Sequence, residues 1–261
     1  MNRITRTWTT LAEQNQKALI GYLTAGDPDP ETSFHILLAA CRAGLDILEL
    51  GVPFSDPTAD GPVIQAAAQR ALQGGMTLPG VLRLAKRLRS EVDTPILLFG
   101  YYNPFLQYGL GKLAADTVEA GVDGLLIVDL PPEETEPLQQ ALRGTGLHQV
   151  LLVAPSTRPD RVREIASRTQ GFLYLITKPG TTGEGGLDVE QIARHARQVK
   201  GLSPLPVCLG FGIRNAEDVR MLAPLADGVV VGSALVRVIS EARDAPDLPA
   251  RLAAKIRELR L

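Results

Sequence analysis

Short aliphatic segments alternate with amphipathic segments along the whole chain. The aliphatic segments are apolar at nearly every position, which is typical of parallel strands with helices outside and packed side chains inside. They lie at residues 18–24, 46–50, 95–100, 124–129, 149–154, 172–177, 205–210 and 228–232. Eight strand–helix units in a chain of 261 residues predict an α/β fold, a single (β/α)8 TIM barrel.

Three further helices are expected from the amphipathic segments. A helix at 5–14 should cover the floor of the barrel, a short extra helix should begin at Ser233 after strand eight, and a closing helix at 248–261 should pack on the outside. No linker or low-complexity segment interrupts the pattern, so we expect one domain over residues 1–261.

Charge and cysteine usage narrow the possible functions. The 27 basic and 29 acidic residues are well mixed, so no basic stripe is available for nucleic acid. Neither a membrane-spanning segment nor a signal peptide is expected from the apolar runs. Cys41 and Cys208 have the character of buried apolar residues in a reducing cytosol, which favours a cytoplasmic protein, and no motif has metal-ligand spacing.

Reactive side chains of such barrels project from the carboxyl ends of the strands. The histidines do not fit, because His35 and His195 lie on predicted helices and His148 precedes its strand. Three aspartates also precede strands and are expected to be structural: Asp46, Asp123 and Asp227. Carboxylates, tyrosines or a lysine at the barrel mouth must therefore perform any chemistry.

Glu49 is an acid near the carboxyl end of an otherwise aliphatic strand. Burying an unpaired carboxylate is costly, and apolar surroundings favour its protonated form and raise its pKa. The alternative is an ion pair, but the neighbouring strands contain no Arg or Lys. We predict that Glu49 donates a proton near neutral pH.

The loop at 51–62 is long for a connection between a strand and a helix, which is often a sign of function. Asp60 is its candidate catalytic residue, although Pro62 fits the first position of a helix and Asp60 could merely precede that helix. Asp56 is expected in a plain turn, and Asp129 either lines the pocket or caps the next helix.

Three tyrosines fall at or near strand ends: Tyr22, Tyr102 and Tyr174. They either border an aromatic pocket or fill the upper layer of the barrel core.

Glycine-rich segments follow strands seven and eight, at 210–213 and at Gly232-Ser233. Phosphate sites of barrels are built from these two loops and the amino terminus of a short extra helix, where glycine lets the backbone approach the anion. A third glycine-rich segment, 177–186, is either a lid with Gly183 contributing an amide or an ordinary surface loop.

Taken together, these segments resemble the α subunit of tryptophan synthase. The most specific segment is Glu-Leu-Gly-Val-Pro-Phe-Ser-Asp-Pro at 49–57 with Ala-Asp-Gly-Pro at 59–62. Further matches lie, in family order over essentially the whole chain, at 23–28, 101–104, 129–134, 153–155 and 210–213.

The resemblance implies retro-aldol cleavage of indole-3-glycerol phosphate to indole and glyceraldehyde 3-phosphate, without a cofactor. It implies that Glu49 and Asp60 are the catalytic carboxylates. The implied phosphate-binding residues are Gly183, Gly212, Gly232 and Ser233, and the implied indole-pocket residues are Tyr22, Tyr102, Tyr174 and Phe211. Family members pair with a pyridoxal-phosphate β subunit in an α2β2 assembly, which implies such a partner here.

Some positions depart from the family pattern. Thr177 stands where serine is usual, and Lys178-Pro179 and Thr181 also differ, which puts lid closure in question. Gly21 replaces a common proline, and Tyr22 is often phenylalanine.

The expected mechanism assigns the protonation of indole C3, and later removal of the hydroxyl proton, to Glu49. Ionised Asp60 accepts a hydrogen bond from the indole N–H, and Thr182 orients Asp60. Three alternatives stay open: a Schiff-base aldolase that uses Lys178, a catalytically idle subunit that activates a partner, and a lyase that works alone.

Overall fold

The computed structural model describes residues 1–177, 188–210 and 212–260. Within them eight parallel strands pair in sequence order, and the eighth pairs with the first, so the barrel is closed. The strands are β1 Ala18–Thr24, β2 Ile47–Gly51, β3 Ile96–Gly100, β4 Gly124–Ile127, β5 His148–Val153, β6 Leu173–Ile176, β7 Val207–Gly210 and β8 Gly228–Val231. The predicted TIM barrel is confirmed.

Helices connect the strands, and several connections contain two of them. In the described residues they are α1 Arg3–Glu13, α2 Pro30–Arg42, α3 Pro62–Gln73, α4 Leu78–Arg89, α5 Tyr102–Tyr108, α6 Leu110–Glu119, α7 Glu136–Leu142, α8 Pro159–Arg168, α9 Val189–Leu202, α10 Ala216–Leu222, α11 Ser233–Ala242 and α12 Leu248–Leu259. The extra helix after β8 begins at Ser233, as predicted. A second extra helix, α3, precedes α4 between β2 and β3.

The strands alternate between two apolar layers. In β2, Ile47 belongs to the cluster inside the barrel, whereas Leu48 and Leu50 belong to the larger cluster between strands and helices. Because side chains of a strand alternate between its faces, Glu49 shares the inward face with Ile47.

Helix α1 covers the floor of the barrel, as predicted. Its buried residues Ile4, Trp8 and Leu11 join the interior cluster, and the rings of Trp8 and Phe172 lie 5.7 Å apart. The Asn2 side chain caps the helix by accepting a hydrogen bond from the Ile4 N–H at 2.8 Å.

The three aspartates that precede strands have one structural role in common. Each carboxylate accepts a hydrogen bond from a backbone N–H at the start of a neighbouring strand. The pairs are Leu19 N to Asp46 at 2.8 Å, Ile96 N to Asp123 at 2.9 Å and Val207 N to Asp227 at 2.9 Å. These bonds hold the lower rim of the barrel, so the structural interpretation of these residues is confirmed.

Several element limits differ from those expected. Strand β4 ends at Ile127, and the carboxylate of Asp129 accepts a hydrogen bond from the Tyr102 N–H at 2.7 Å, so the chain has already left the sheet. The helix expected after Asp129 begins as a 3-10 turn at Pro132–Glu134 and continues as α7. His148, which was expected to precede its strand, is the first residue of β5. Among the described residues no helix is long and apolar enough to cross a membrane.

Candidate active site

A cavity lies at the carboxyl ends of the strands, inside the upper rim of the barrel. Inward side chains and loops from both halves of the chain meet there. Its described lining residues are Tyr22, Glu49, Asp60, Ile64, Phe99, Tyr174, Gly212, Ile213, Val230, Gly232 and Ser233. This set contains two acids, Glu49 and Asp60, and no basic side chain, so any anionic ligand must be bound by neutral groups of these residues.

Glu49 is held in the wall of this cavity by β2, with Tyr22 of β1 and Leu97 of β3 as its neighbours in register. Its side chain is fully buried, and neither carboxylate oxygen has a hydrogen-bond partner among the described residues. Burial raises the pKa of Glu49 from 4.5 to about 8. The carboxyl group is therefore protonated at neutral pH, and the ion-pair alternative is not observed in the described part of the chain.

Asp60 is buried at the end of the long loop after β2. The hydroxyl of Tyr101 donates a hydrogen bond to Asp60 Oδ2 at 3.0 Å and accepts one from the Ala59 N–H at 3.0 Å. Burial raises the pKa of Asp60 to about 6, and the bond from Tyr101 opposes this shift. Gly61 is the residue that precedes α3, so Asp60 is not the cap residue of this helix, and its side chain lines the cavity.

Aromatic rings form the walls around the two carboxylates. Tyr22 and Phe99 meet edge to face with ring centroids 5.0 Å apart, and Tyr174 lies across the cavity on β6. Burial raises the pKa of Tyr22 and Tyr174 well above 10, with Asp60 and Glu49 adding to the shift, so both phenols stay protonated. The cavity thus offers a flat aromatic ligand apolar faces next to two acids.

The opposite side of the cavity is backbone. Gly212 has a φ of 87°, a conformation that favours glycine, and Gly232 directly precedes α11. A Cβ at Gly232 would lie 3.4 Å from the Tyr22 Cβ, so the backbone is close to the pocket wall. The N–H groups of Leu235 and Val236 donate to the Gly232 carbonyl, so the N–H groups that the start of α11 can offer to an anion are those of Ser233 and Ala234.

The structure brings seven of the predicted site residues to this cavity: Glu49, Asp60, Tyr22, Tyr174, Gly212, Gly232 and Ser233. Thr182, Gly183, Phe211 and Lys178 lie outside the described residues, as does most of the predicted lid. Tyr102 is not among the described lining residues, because it begins α5. Asp129 neither lines the cavity nor caps α7, since it binds the Tyr102 N–H at the start of α5.

Tyr101 was missed by sequence reasoning, which singled out Tyr102. Alternation along β3 contains the signal, because Leu97 and Phe99 face the interior and Tyr101 has the same parity. The aliphatic lining residues Ile64, Ile213 and Val230 carry no chemical signal that distinguishes them from the core.

Comparisons with known proteins identify one family that the chain matches over nearly its whole length. The sequence model of one protein family, described as tryptophan synthase alpha chain, matches residues 8–260. The tryptophan synthase alpha chain of Desulfosudis oleivorans is 49% identical over 258 residues, covering 99% of this chain and 97% of its own length. That of Nitrosococcus oceani is 44% identical over 262 residues, covering 100% of this chain and 97% of its own.

Solved structures are similar over the same extent. The crystal structure of tryptophan synthase subunit alpha from Legionella pneumophila has a TM-score of 0.92 at 38% identity, and the match covers 99% of this chain and 97% of that one. A chain of tryptophan synthase from M. tuberculosis in its aminoacrylate-bound form has a TM-score of 0.88 at 34% identity, with 99% and 98% covered.

Proposed function

Because the chain belongs to the family of tryptophan synthase α chains, lyases of tryptophan biosynthesis that cleave indole-3-glycerol phosphate, we propose that Glu49 and Asp60 perform this cleavage at the barrel mouth. The supporting observation is that the cavity holds two buried carboxylates, of which only Asp60 accepts a hydrogen bond among the described residues. Burial therefore raises the pKa of Glu49 to about 8 and that of Asp60 to about 6. At neutral pH one is an acid and the other an anion, which are the two forms that the reaction needs.

The reaction breaks the bond between indole C3 and the hydroxyl-bearing carbon of the glycerol chain. Glu49 gives its proton to C3, whose ring electrons form the new C–H bond, and the positive charge spreads to the ring nitrogen. Asp60, ionised, accepts the hydrogen bond from that N–H and stabilises the charge. Glu49 as carboxylate then takes the hydroxyl proton.

Loss of the hydroxyl proton allows the carbon–carbon bond to break. The oxygen electrons form the aldehyde C=O, the C3–carbon bond breaks, and its electrons restore the aromatic indole. Glu49 ends protonated and ready for the next turnover. Every step is a proton transfer or a bond cleavage, and the protonated indole ring itself accepts the electrons of the broken bond.

The phosphate is assigned to the backbone at Gly212, Gly232 and Ser233. Its negative charge suits the free N–H groups and dipole at the start of α11. Binding energy at this remote end holds C3 near Glu49. Three predicted residues lie outside the described part of the chain and stay predictions. Gly183 is predicted to bind the phosphate, Thr182 to orient Asp60, and Phe211 to line the indole pocket.

The decisive variant is Glu49→Gln, which keeps the size of the side chain and removes its transferable proton. Turnover of indole-3-glycerol phosphate should fall by at least about a hundredfold, while substrate binding is retained. Glu119→Gln, at an exposed glutamate on α6, is the matched control and should leave turnover unchanged. A Glu49→Gln protein with ordinary turnover would remove Glu49 from the scheme.

We propose from the family membership that this chain binds a tryptophan synthase β subunit and that the two assemble as α2β2. Turnover measured with and without a β subunit, together with the mass of the mixture in solution, tests this assembly. Turnover that is independent of added β subunit, with no complex, would favour a lyase that works alone. Binding without any indole release would favour an idle activating subunit.

We also propose a cytoplasmic location and a single domain. The cytoplasm is favoured because Cys41 and Cys208 are both free thiols, as in a reducing compartment. One domain over residues 1–261 is favoured because the closed barrel uses strands from β1 to β8 and α12 packs on α2. Limited proteolysis that yields two stable fragments would contradict the single domain.

A further inference from the structure

Two of the helices that are extra to the strand–helix alternation, α3 and α11, each carry a part of the proposed site. Helix α3 begins two residues after Asp60, and α11 begins with Ser233. The two helices pack against each other and against β1. At their first turns, Gly232 approaches Ile64, since a Cβ there would lie 3.6 Å from Ile64 Cδ1.

A partly buried polar cluster joins these helices at their last turns. Arg70 of α3 donates from Nε to Asp27 Oδ1 at 2.7 Å and from Nη2 to Asp27 Oδ2 at 2.9 Å. The same Nη2 donates to the hydroxyl of Ser240 on α11 at 2.9 Å. Asp27 lies in the loop after β1, so one guanidinium connects three segments of the barrel mouth.

The burial of the Asp27 carboxylate makes a purely stabilising role of this cluster a poor explanation. The Asp27 side chain has no exposed surface and that of Arg70 is 22% exposed. Removing two charges from water costs about as much as their attraction returns, so such pairs rarely stabilise a fold more than apolar residues would. What the planar fork of arginine does supply is a fixed geometry, because a bidentate pair allows one relative orientation.

We propose that Arg70 is a positioning residue that fixes the separation between Asp60 and the amino terminus of α11. This inference rests on the proposed function, in which the indole ring is bound at Asp60 and the phosphate at Ser233. The substrate spans both ends, so its cleavage depends on their separation. The binding of a ligand that occupies only one end does not depend on this separation.

That difference gives a distinctive readout. Replacing Arg70 by Lys keeps the charge but loses the fork that binds Asp27 and Ser240 together. The value of kcat/KM for indole-3-glycerol phosphate should fall by roughly ten- to a hundredfold, as expected for a displacement of about 1 Å between reacting groups. The Kd of indole and the Kd of inorganic phosphate, each measured alone by NMR titration, should stay within about twofold.

Two more variants complete the experiment. Ser240→Ala removes only the hydrogen bond from Arg70 to α11 and leaves the ion pair with Asp27 intact, so it should show the same pattern to a smaller degree. This variant tests the inference if the Arg70→Lys protein fails to fold. Arg87→Lys is the matched control, because Arg87 makes a bidentate pair with Glu31 on the exposed outer surface. It should change neither kcat/KM nor either Kd.

Specific results would overturn the inference. An Arg70→Lys protein with kcat/KM within twofold of the parent would show that the fork does not set the geometry. Loss of affinity for indole alone, or for phosphate alone, would show that Arg70 acts on one end only. Failure of the proposed function is recognised separately, because it would appear as ordinary turnover in the Glu49→Gln protein. The affinities of the Arg70 variants for indole and for phosphate do not depend on proton transfer by Glu49.

Discussion

Glu49 and Asp60 are both buried acids, yet only Asp60 receives a hydrogen bond among the described residues. The hydroxyl of Tyr101 stabilises the ionised form of Asp60 and partly offsets the effect of burial on its pKa. Glu49 has no such donor in the described part of the chain, so burial acts on it alone. One hydrogen bond therefore contributes to separating the roles of the two carboxylates.

The pH dependence of kcat/KM follows from these two groups. Activity requires Asp60 ionised and Glu49 protonated. We expect a bell-shaped profile that falls below about pH 6, as Asp60 gains a proton, and above about pH 8, as Glu49 loses one. Steady-state rates with indole-3-glycerol phosphate between about pH 5 and pH 10 would measure it, and activity that keeps rising above about pH 9 would contradict the role of Glu49.

Tyr101→Phe tests the hydrogen bond to Asp60 directly. Without the hydroxyl donor the carboxylate is less stable, so the pKa of Asp60 should rise further and the acidic limb of the profile should move up by about one unit. The basic limb should stay in place. Tyr108→Phe removes a phenol that bonds Asp116 on the outside of α5 and α6, and its profile should match that of the parent.

The sequence allowed Glu49 to be predicted far better than Tyr101. An acid in an aliphatic strand is conspicuous, so Glu49 and its raised pKa follow from the pattern of the strand alone. Tyr101 could not be distinguished from Tyr102 until the inward parity of Phe99 was known. The contribution of residues 178–187 to the site rests on the sequence alone, since they lie outside the described part of the chain.

At the scale of elements, the strands were predictable because both of their faces are buried, which leaves an uninterrupted apolar run. Their limits were less predictable, because an apolar run continues after the backbone has left the sheet, as it does after Ile127. The contacts between α3 and α11 were beyond sequence reasoning, since Arg70 and Ser240 are 170 residues apart and neither belongs to a motif.

The aspartates at the lower rim give a prediction about stability. Asp123 accepts hydrogen bonds from the Ile96 N–H, from Arg89 at 3.0 Å and from Arg3 at 3.1 Å. Asp46 has only one backbone donor among the described residues, and its contact to Arg260 is longer. Asp123→Asn removes the counter-charge of the nearly buried Arg89, whereas Arg3 keeps its ion pair with Asp93. It should lower the free energy of unfolding by about 2 to 4 kcal/mol, against about 1 for Asp46→Asn.

Urea unfolding measures both variants of the lower rim. Because these aspartates lie at the end of the barrel opposite the cavity, kcat per folded molecule should not change in either. Equal losses of stability in the two variants would show that the paired arginines add nothing beyond the backbone bond.

At the scale of the whole molecule, a buried acid without a partner among the described residues makes folding depend on pH. The pKa of Glu49 is raised from 4.5 to about 8 by burial, so between these values the unfolded chain is ionised while the folded protein still holds the proton. The contribution of Glu49 to the free energy of unfolding is therefore fully present below about pH 4.5 and is lost as the pH rises toward 8. The property that suits Glu49 to donate a proton also destabilises the barrel in alkaline solution.

Glu49→Gln should remove this dependence, because the amide cannot ionise in either state. Its free energy of unfolding relative to the parent should rise by roughly 4 kcal/mol between about pH 5 and pH 9, the range over which the parent loses the contribution of the buried acid. Urea unfolding at the two pH values measures the change. Glu119→Gln should show a flat difference, since the side chain of Glu119 is 70% exposed and keeps its water in both states. A flat difference for Glu49→Gln as well would mean that the carboxyl group is not held protonated in the folded protein, and the proton donor of the proposed reaction would have to be another group.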